Sequence, residues 1–168
     1  HDPTCAPFEP MQSDVFVTEA TFGLPVFVHP DANGEIAKLL ESLRSNPESD
    51  HFVGAYSLGK AQRIIRILRD LGHDDEILLH GSMETLCNYY QSRGIELGRL
   101  AKLIDAGIQR KSGGAIIVGP PYAIGTTWVN RMADPVFAYA SGWMRIRQRA
   151  KRAGVELPLI VSDHCDWP

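Results

Sequence analysis

Two short runs, far apart in the chain, each present one group able to move a proton. Glu19 stands in DVFVTEATFG, an otherwise apolar and β-branched run closed by Gly23, and His164 stands in VSDHCDW, flanked by Asp163 and Asp166. Both runs read as buried strands with the charged residue at the carboxyl end. A carboxylate in that position needs a partner, because desolvating it alone is costly. An imidazole is a suitable one: the pair favours imidazolium and fixes the ring. An imidazolium can protonate a leaving alkoxide or stabilise phosphoryl oxygens. Glu19 and His164 are therefore the candidate catalytic residues. Spacing alone also allows a structural glutamate and a surface histidine.

A second kind of chemistry is anion binding. In Ser57-Leu58-Gly59-Lys60 a strand ends, a glycine turns the chain and a helix begins. Amides at a helix start bind anions, and Lys60 adds charge. The plain alternative is an N-capping Ser57 and an exposed lysine, and the P-loop spacing is absent. Ser141 and Gly142 form a similar turn beside Trp143, an indole able to stack on a base or to pack in the core. The segment 60–71 carries Lys60, Arg63, Arg66 and Arg69, with Ile64, Ile65, Leu68 and Leu71 expected inward. The segment 142–153 carries Arg145, Arg147, Arg149, Lys151 and Arg152. In a chain of net charge −3, these basic faces point to a groove that tracks a nucleic-acid backbone, or else to solvated helix surfaces. The other histidines and the three cysteines, Cys5, Cys87 and Cys165, make no HxH, HExxH or CxxC. No metal site is therefore assigned to the chain itself.

The elements that must position these residues alternate. Strands are expected at HFVGAYS, EILLHG, AIIVGPP, VFAYAS and LPLIVSDH. Helices are expected near 33–46, 60–71, 83–94, 124–131 and 142–153, with 95–113 a polar excursion holding a short helix. This order predicts an α/β fold, mainly a parallel sheet with helices on both faces. Ligands gather at the carboxyl ends of such strands, and the polar clusters 57–60, 80–82, 119–121, 141–142 and 162–166 fall there. The 168 residues suffice for one core. An odd cysteine count, no apolar run of membrane-spanning length and no signal peptide predict a cytoplasmic protein with reduced thiols. The first residue is His1, which implies a start inside a longer product or a trimmed one.

Taken together these runs resemble the β-CASP family of metallo-β-lactamase-fold nucleases. FVTEATFG is similar to the family's acidic motif A, and SDHCDW to its SxHxD motif B. AYSLGKAQR combines features of the DNA-processing and RNA-cleaving branches. The order DPTC-x-PFEP, TEATFGLPVF, AYxLGKAQR, a Ser-Gly-Trp-Met turn and SDHxDW resembles the ligase-associated DNA exonucleases over essentially the whole chain. Cys165 departs from an expected alanine.

The resemblance implies that 25–156 is a β-CASP domain. It makes 1–24 a connector and strand at the edge of a metallo-β-lactamase domain, and 157–168 a strand returning to it. It implies two zinc ions in the full-length protein, held by that other domain and not by this chain, which alone would be inactive. It also implies that Glu19 and His164 act on the leaving side of a phosphodiester. Phosphates would lie near Ser57, Gly59, Lys60, Arg63, Ser141, Gly142, Arg145 and Arg149. DNA and an ATP-dependent DNA ligase are the implied partners, in DNA repair, with no membrane. An RNA-processing nuclease, a non-catalytic nucleic-acid-binding subunit and an unrelated module for a phosphorylated small molecule are the alternatives.

Overall fold

The computed structural model describes residues 2–103, 113–146 and 155–167. Among the described residues there are six strands: β1 (His51–Gly54), β2 (Ile77–Leu79), β3 (Leu100–Lys102), β4 (Ile116–Gly119), β5 (Val136–Ala140) and β6 (Leu157–Leu159). They form one sheet in the order β3-β2-β4-β1-β5-β6, and every pairing is parallel. The α/β class read from sequence is the class observed. All six carboxyl ends share one edge of the sheet, so the loops that leave them are neighbours.

The three α-helices of the described residues lie on one face. α1 (Ala32–Ser45) starts at Asp31, whose carboxylate accepts the Gly34 amide at 3.2 Å. α2 (Lys60–Asp70) starts at Gly59 with φ +79°, a left-handed conformation that only glycine adopts at no steric cost. α3 (Gly81–Ser92) starts at His80, whose ring accepts the Ser82 amide at 3.2 Å. Ile36 and Leu39 of α1, Ile64, Ile65, Ile67 and Leu68 of α2, and Met83 and Cys87 of α3 pack on Val53, Ile77, Leu79, Val118 and Ala138. Each fully buried Ile or Leu contributes roughly 1.5–3 kcal/mol by leaving water. Leu71, expected inward, lies past the end of α2 and is exposed.

The opposite face is covered differently. Phe52, Leu78 and Ile117 pack there against Ala123, Trp128 and Met132. The covering pieces are single 3₁₀ turns, Pro121–Ala123 and Thr127–Arg131, where the sequence reads as a helix over 124–131. Among the described residues, then, the second face carries turns and no α-helix. At the amino edge, the fully buried Asp50 accepts the amides of Ala115 and Ala133 at 3.1 and 2.9 Å. It thereby ties the entries of β4 and β5 to β1.

Several expectations need correction. DVFVTEATFG is not a buried strand: residues 15–20 have no regular secondary structure, and Val15, Phe16 and Val17 are 78, 72 and 88% exposed. Apolar, β-branched residues favour a strand only where a neighbouring strand supplies hydrogen bonds and cover. β3 lies within the stretch read as a polar excursion, and residues 104–112 of that stretch lie outside the described residues. The helix expected from 142 begins as a 3₁₀ turn, Gly142–Arg145. Its continuation, with Arg147, Arg149, Lys151 and Arg152, lies outside the described residues. β6 is shorter than LPLIVSDH and is an edge strand of this same sheet, beside β5.

Candidate active site

Residues 162–166 leave β6 at the carboxyl edge and are tied down one after another. The Ser162 hydroxyl accepts the His164 amide at 3.0 Å, and the Ser162 carbonyl accepts from the Arg63 guanidinium. The Asp163 carboxylate meets the Lys60 ammonium at 3.0 Å. His164 Nδ1 lies 3.3 Å from Glu19 Oε2, and the Cys165 amide donates to Glu19 Oε1 at 3.3 Å. The Asp166 carboxylate accepts the His29 amide at 2.7 Å. Glu19 and His164, separated by most of the chain, are therefore brought together. The contact uses Nδ1, which leaves Nε2 outside it.

Glu19 is half exposed, and so is His164, at 43 and 42% of the side chain. The pair is thus open to a ligand, and not buried as expected from sequence. The Glu19 carboxyl is held well down, at about 2, mainly by hydrogen bonds from the Thr21 hydroxyl and amide, and further by His164 and the Cys165 amide. The Thr21 amide distance is 2.7 Å. At neutral pH the carboxylate is ionised, and its contact orients the imidazole.

Phe22 anchors the segment that carries Glu19. Its ring meets those of His29, Trp143 and His164 edge-on, at centroid distances of 4.8, 5.1 and 5.9 Å. Gly142 permits this: a Cβ there would fall 2.6 Å from the Phe22 ring and 2.8 Å from that of His29. Trp143 therefore packs within this cluster instead of standing free as a stacking platform. The neighbouring Ser141 is buried, and its hydroxyl accepts the Trp143 amide at 3.3 Å. Burial pushes His29 toward its neutral form.

The anion cradle expected at 57–60 looks different in three dimensions. Ser57 is not the cap of α2; its carbonyl accepts from the Gln62 amide group at 2.9 Å. Lys60 is 2% exposed, lies 4.6 Å from the centre of the Tyr56 ring and is paired with Asp163. The basic face of α2 is paired within the chain as well, at Arg66 with exposed partners. Arg63 binds the Ser162 carbonyl and lies 3.9 Å from Asp2. Arg66 pairs with Asp70 and Glu96 at 2.6 and 3.2 Å. Arg69 donates to the carbonyls of Leu97, His73, Asp75 and Arg99 at 2.5–2.9 Å. A guanidinium carries five donors in a planar fork, and polar loops that end near a helix terminus consume them first. Arg145 is exposed, with its Nε 3.5 Å from the Val26 carbonyl. Arg149 lies outside the described residues.

A cavity of about 700 Å³ opens beside His164 and is bordered by Asp31, Asn33, Arg63, Ser162 and Asp163. Among the described residues no group of three or more His, Cys, Asp and Glu side chains could hold a metal ion. Sequence reasoning missed Thr21, whose TEAT spacing is a turn signal, and the Lys60–Asp163 pair, which has no local signal because its partners are remote in sequence.

The fold and this edge define an α/β parallel-sheet protein with a Glu19–His164 contact beside the carboxyl end of β6. No family model matches the chain. A curated protein of Opitutus terrae, named a probable DNA ligase, is 23% identical over 158 residues, which cover 92% of this chain and 15% of that protein. The chain thus spans a small part of the length of that relative. Among the described residues no helix is long and apolar enough to cross a membrane.

Proposed function

We propose that this chain is a β-CASP-like lobe of a zinc-dependent DNA exonuclease that hydrolyses phosphodiester bonds, in DNA repair alongside an ATP-dependent ligase. The observation that carries the reading is the 3.3 Å contact between His164 and Glu19, which joins the two residues assigned from separate motifs. The distant similarity to a protein named a probable DNA ligase supports a role at DNA ends. The exposed apolar residues Phe8, Met11, Val15, Phe16 and Val17 support a lobe that is covered by another domain of the same protein.

In this reading the zinc chemistry belongs to that other domain. Glu19 stays ionised and holds Nδ1 of His164. As a water oxygen forms the new P–O bond and the bond to the leaving oxygen breaks, the proton on His164 Nε2 passes to the leaving oxygen, and the proton that the attacking water releases to solvent balances the one with which solvent recharges the ring. The cavity beside His164 lies where the departing strand would pass.

The test is hydrolysis of single-stranded DNA by the full-length zinc-loaded protein. His164→Ala is expected to lower turnover roughly a hundredfold or more, the range for losing an acid–base group, with zinc content unchanged. Glu19→Gln should cost less, since the ring remains. Turnover by His164→Ala equal to that of the native protein would sink the reading.

A further inference from the structure

Lys60 is placed where a lysine has no reason to be if folding were its only task. It opens α2, at the positive end of the helix dipole, where a cation is disfavoured. It is also 2% exposed, and an apolar side chain of the same length would fill that space without the cost of desolvating a charge. The ammonium is nevertheless retained there, 3.0 Å from Asp163 and 4.6 Å from the centre of the Tyr56 ring. Asp163 is the residue immediately before His164.

The other ties on this turn differ in kind. Glu19 accepts the Cys165 amide, and the His29 amide binds Asp166. Both ties lead to segments around Glu19 and His29 that have no regular secondary structure at those residues. Lys60 leads instead to a helix that packs four buried aliphatic side chains, Ile64, Ile65, Ile67 and Leu68, against the sheet. It therefore connects the His164 turn to the rigid part of the fold, together with its neighbour one turn along, Arg63, which holds the Ser162 carbonyl. A reactive group is held to productive geometry by supports that are themselves locked by packing.

We infer that Lys60 is a positioning residue: the ion pair of its buried ammonium with the partly exposed Asp163 carboxylate pins the turn that carries His164 to the head of α2 and keeps the imidazole seated on Glu19. This rests on the acid–base role proposed for His164, and it replaces the reading of Lys60 as a free phosphate ligand. The pair acts through His164 and touches no reacting atom.

The test is read on the chain itself, without substrate. At mildly alkaline pH, long-range ¹H–¹⁵N NMR of the His164 ring reports which nitrogen carries the proton. The native chain is expected to show two widely separated ring ¹⁵N shifts, with the proton on Nδ1 facing Glu19. Lys60→Met keeps the length of the side chain and removes the charge. With the amide spectrum of the sheet intact, this variant is expected to lose the separation as the two tautomers average. A native chain without the Nδ1 signature, or a folded Lys60→Met that keeps it, overturns the assignment, whatever stability is lost. Should Lys60→Met not fold, the double variant Lys60→Met/Asp163→Leu, which replaces the ion pair by an apolar contact, is read by the same two outcomes. Because no DNA is hydrolysed in this measurement, loss of the nuclease reading would show in the turnover experiment and not here.

Discussion

Thr21 bears on the chemistry of Glu19 as directly as His164 does, because its hydroxyl and amide are the largest influences on that carboxyl. A carboxylate that accepts such bonds loses them on protonation, so its pKa falls. The folded value is about 2 against an ordinary 4.5. The sign follows from linkage: the contribution to stability is full above 4.5 and is lost as pH falls through about 2. In ¹³C-detected titration of the side-chain carboxyls, Glu19 is expected to remain ionised through most of that window. Thr21→Ala should move its midpoint back toward 4.5. A Glu19 midpoint near 4.5 in the native chain would show that the Thr21 bonds do not form in solution.

At the scale of elements, α2 shows how far a basic face can be from a binding face. Arg69 holds four backbone carbonyls at the end of the helix, whereas Arg44 of α1 makes only an exposed pair with Glu41. Arg69→Ala should therefore destabilise the chain by about 2 kcal/mol or more in urea unfolding, since hydrogen bonds to charged groups are the stronger kind. Arg44→Ala should cost about 0.5 kcal/mol or less. Equal midpoints for the two variants would contradict the internal role of Arg69. Arg145 is the opposite case: it is exposed beside the Gly142 turn. In the full-length protein, Arg145→Glu is expected to weaken single-stranded DNA binding about equally across sequences and to flatten its salt dependence, with the unfolding midpoint unchanged. Binding that is indifferent to this substitution would leave the Gly142 turn outside the DNA path.

For the whole molecule, the contrast lies between a sheet buried on both faces and a leading segment that touches little. β1 and β4 are buried at every position, while residues 15–17 are exposed and outside regular structure. Amide exchange should follow that division. Phe52, Val53, Ile117 and Val118 are expected to exchange slowest, near the rate of global unfolding, and Val15, Phe16 and Val17 close to the rate of an unfolded chain. In the full-length protein the second group should become protected if another domain covers it. Protection of residues 15–17 in this chain alone would show that they find cover by themselves.

The sequence by itself determined the α/β class and the parallel pairing, because period-2 and period-3.6 apolar patterns act locally, and it placed the start of α2 at Lys60, because Gly59 turns the chain there. It also marked Glu19 and His164 as candidate partners, since a charged residue at the end of an apolar run is a local anomaly. It misjudged DVFVTEATFG, where β propensity is present but the neighbouring strand that would realise it is not among the described residues. It left the arginines of α2 undecided between solvated surface and groove. Only the tertiary structure settled that Arg63, Arg66 and Arg69 serve internal carbonyls and carboxylates, and that Lys60 is buried against Asp163. The physical reason is that a charge's role depends on which opposite groups the fold brings within about 4 Å, and such groups stand as far as 103 positions away along the chain, as Asp163 does from Lys60.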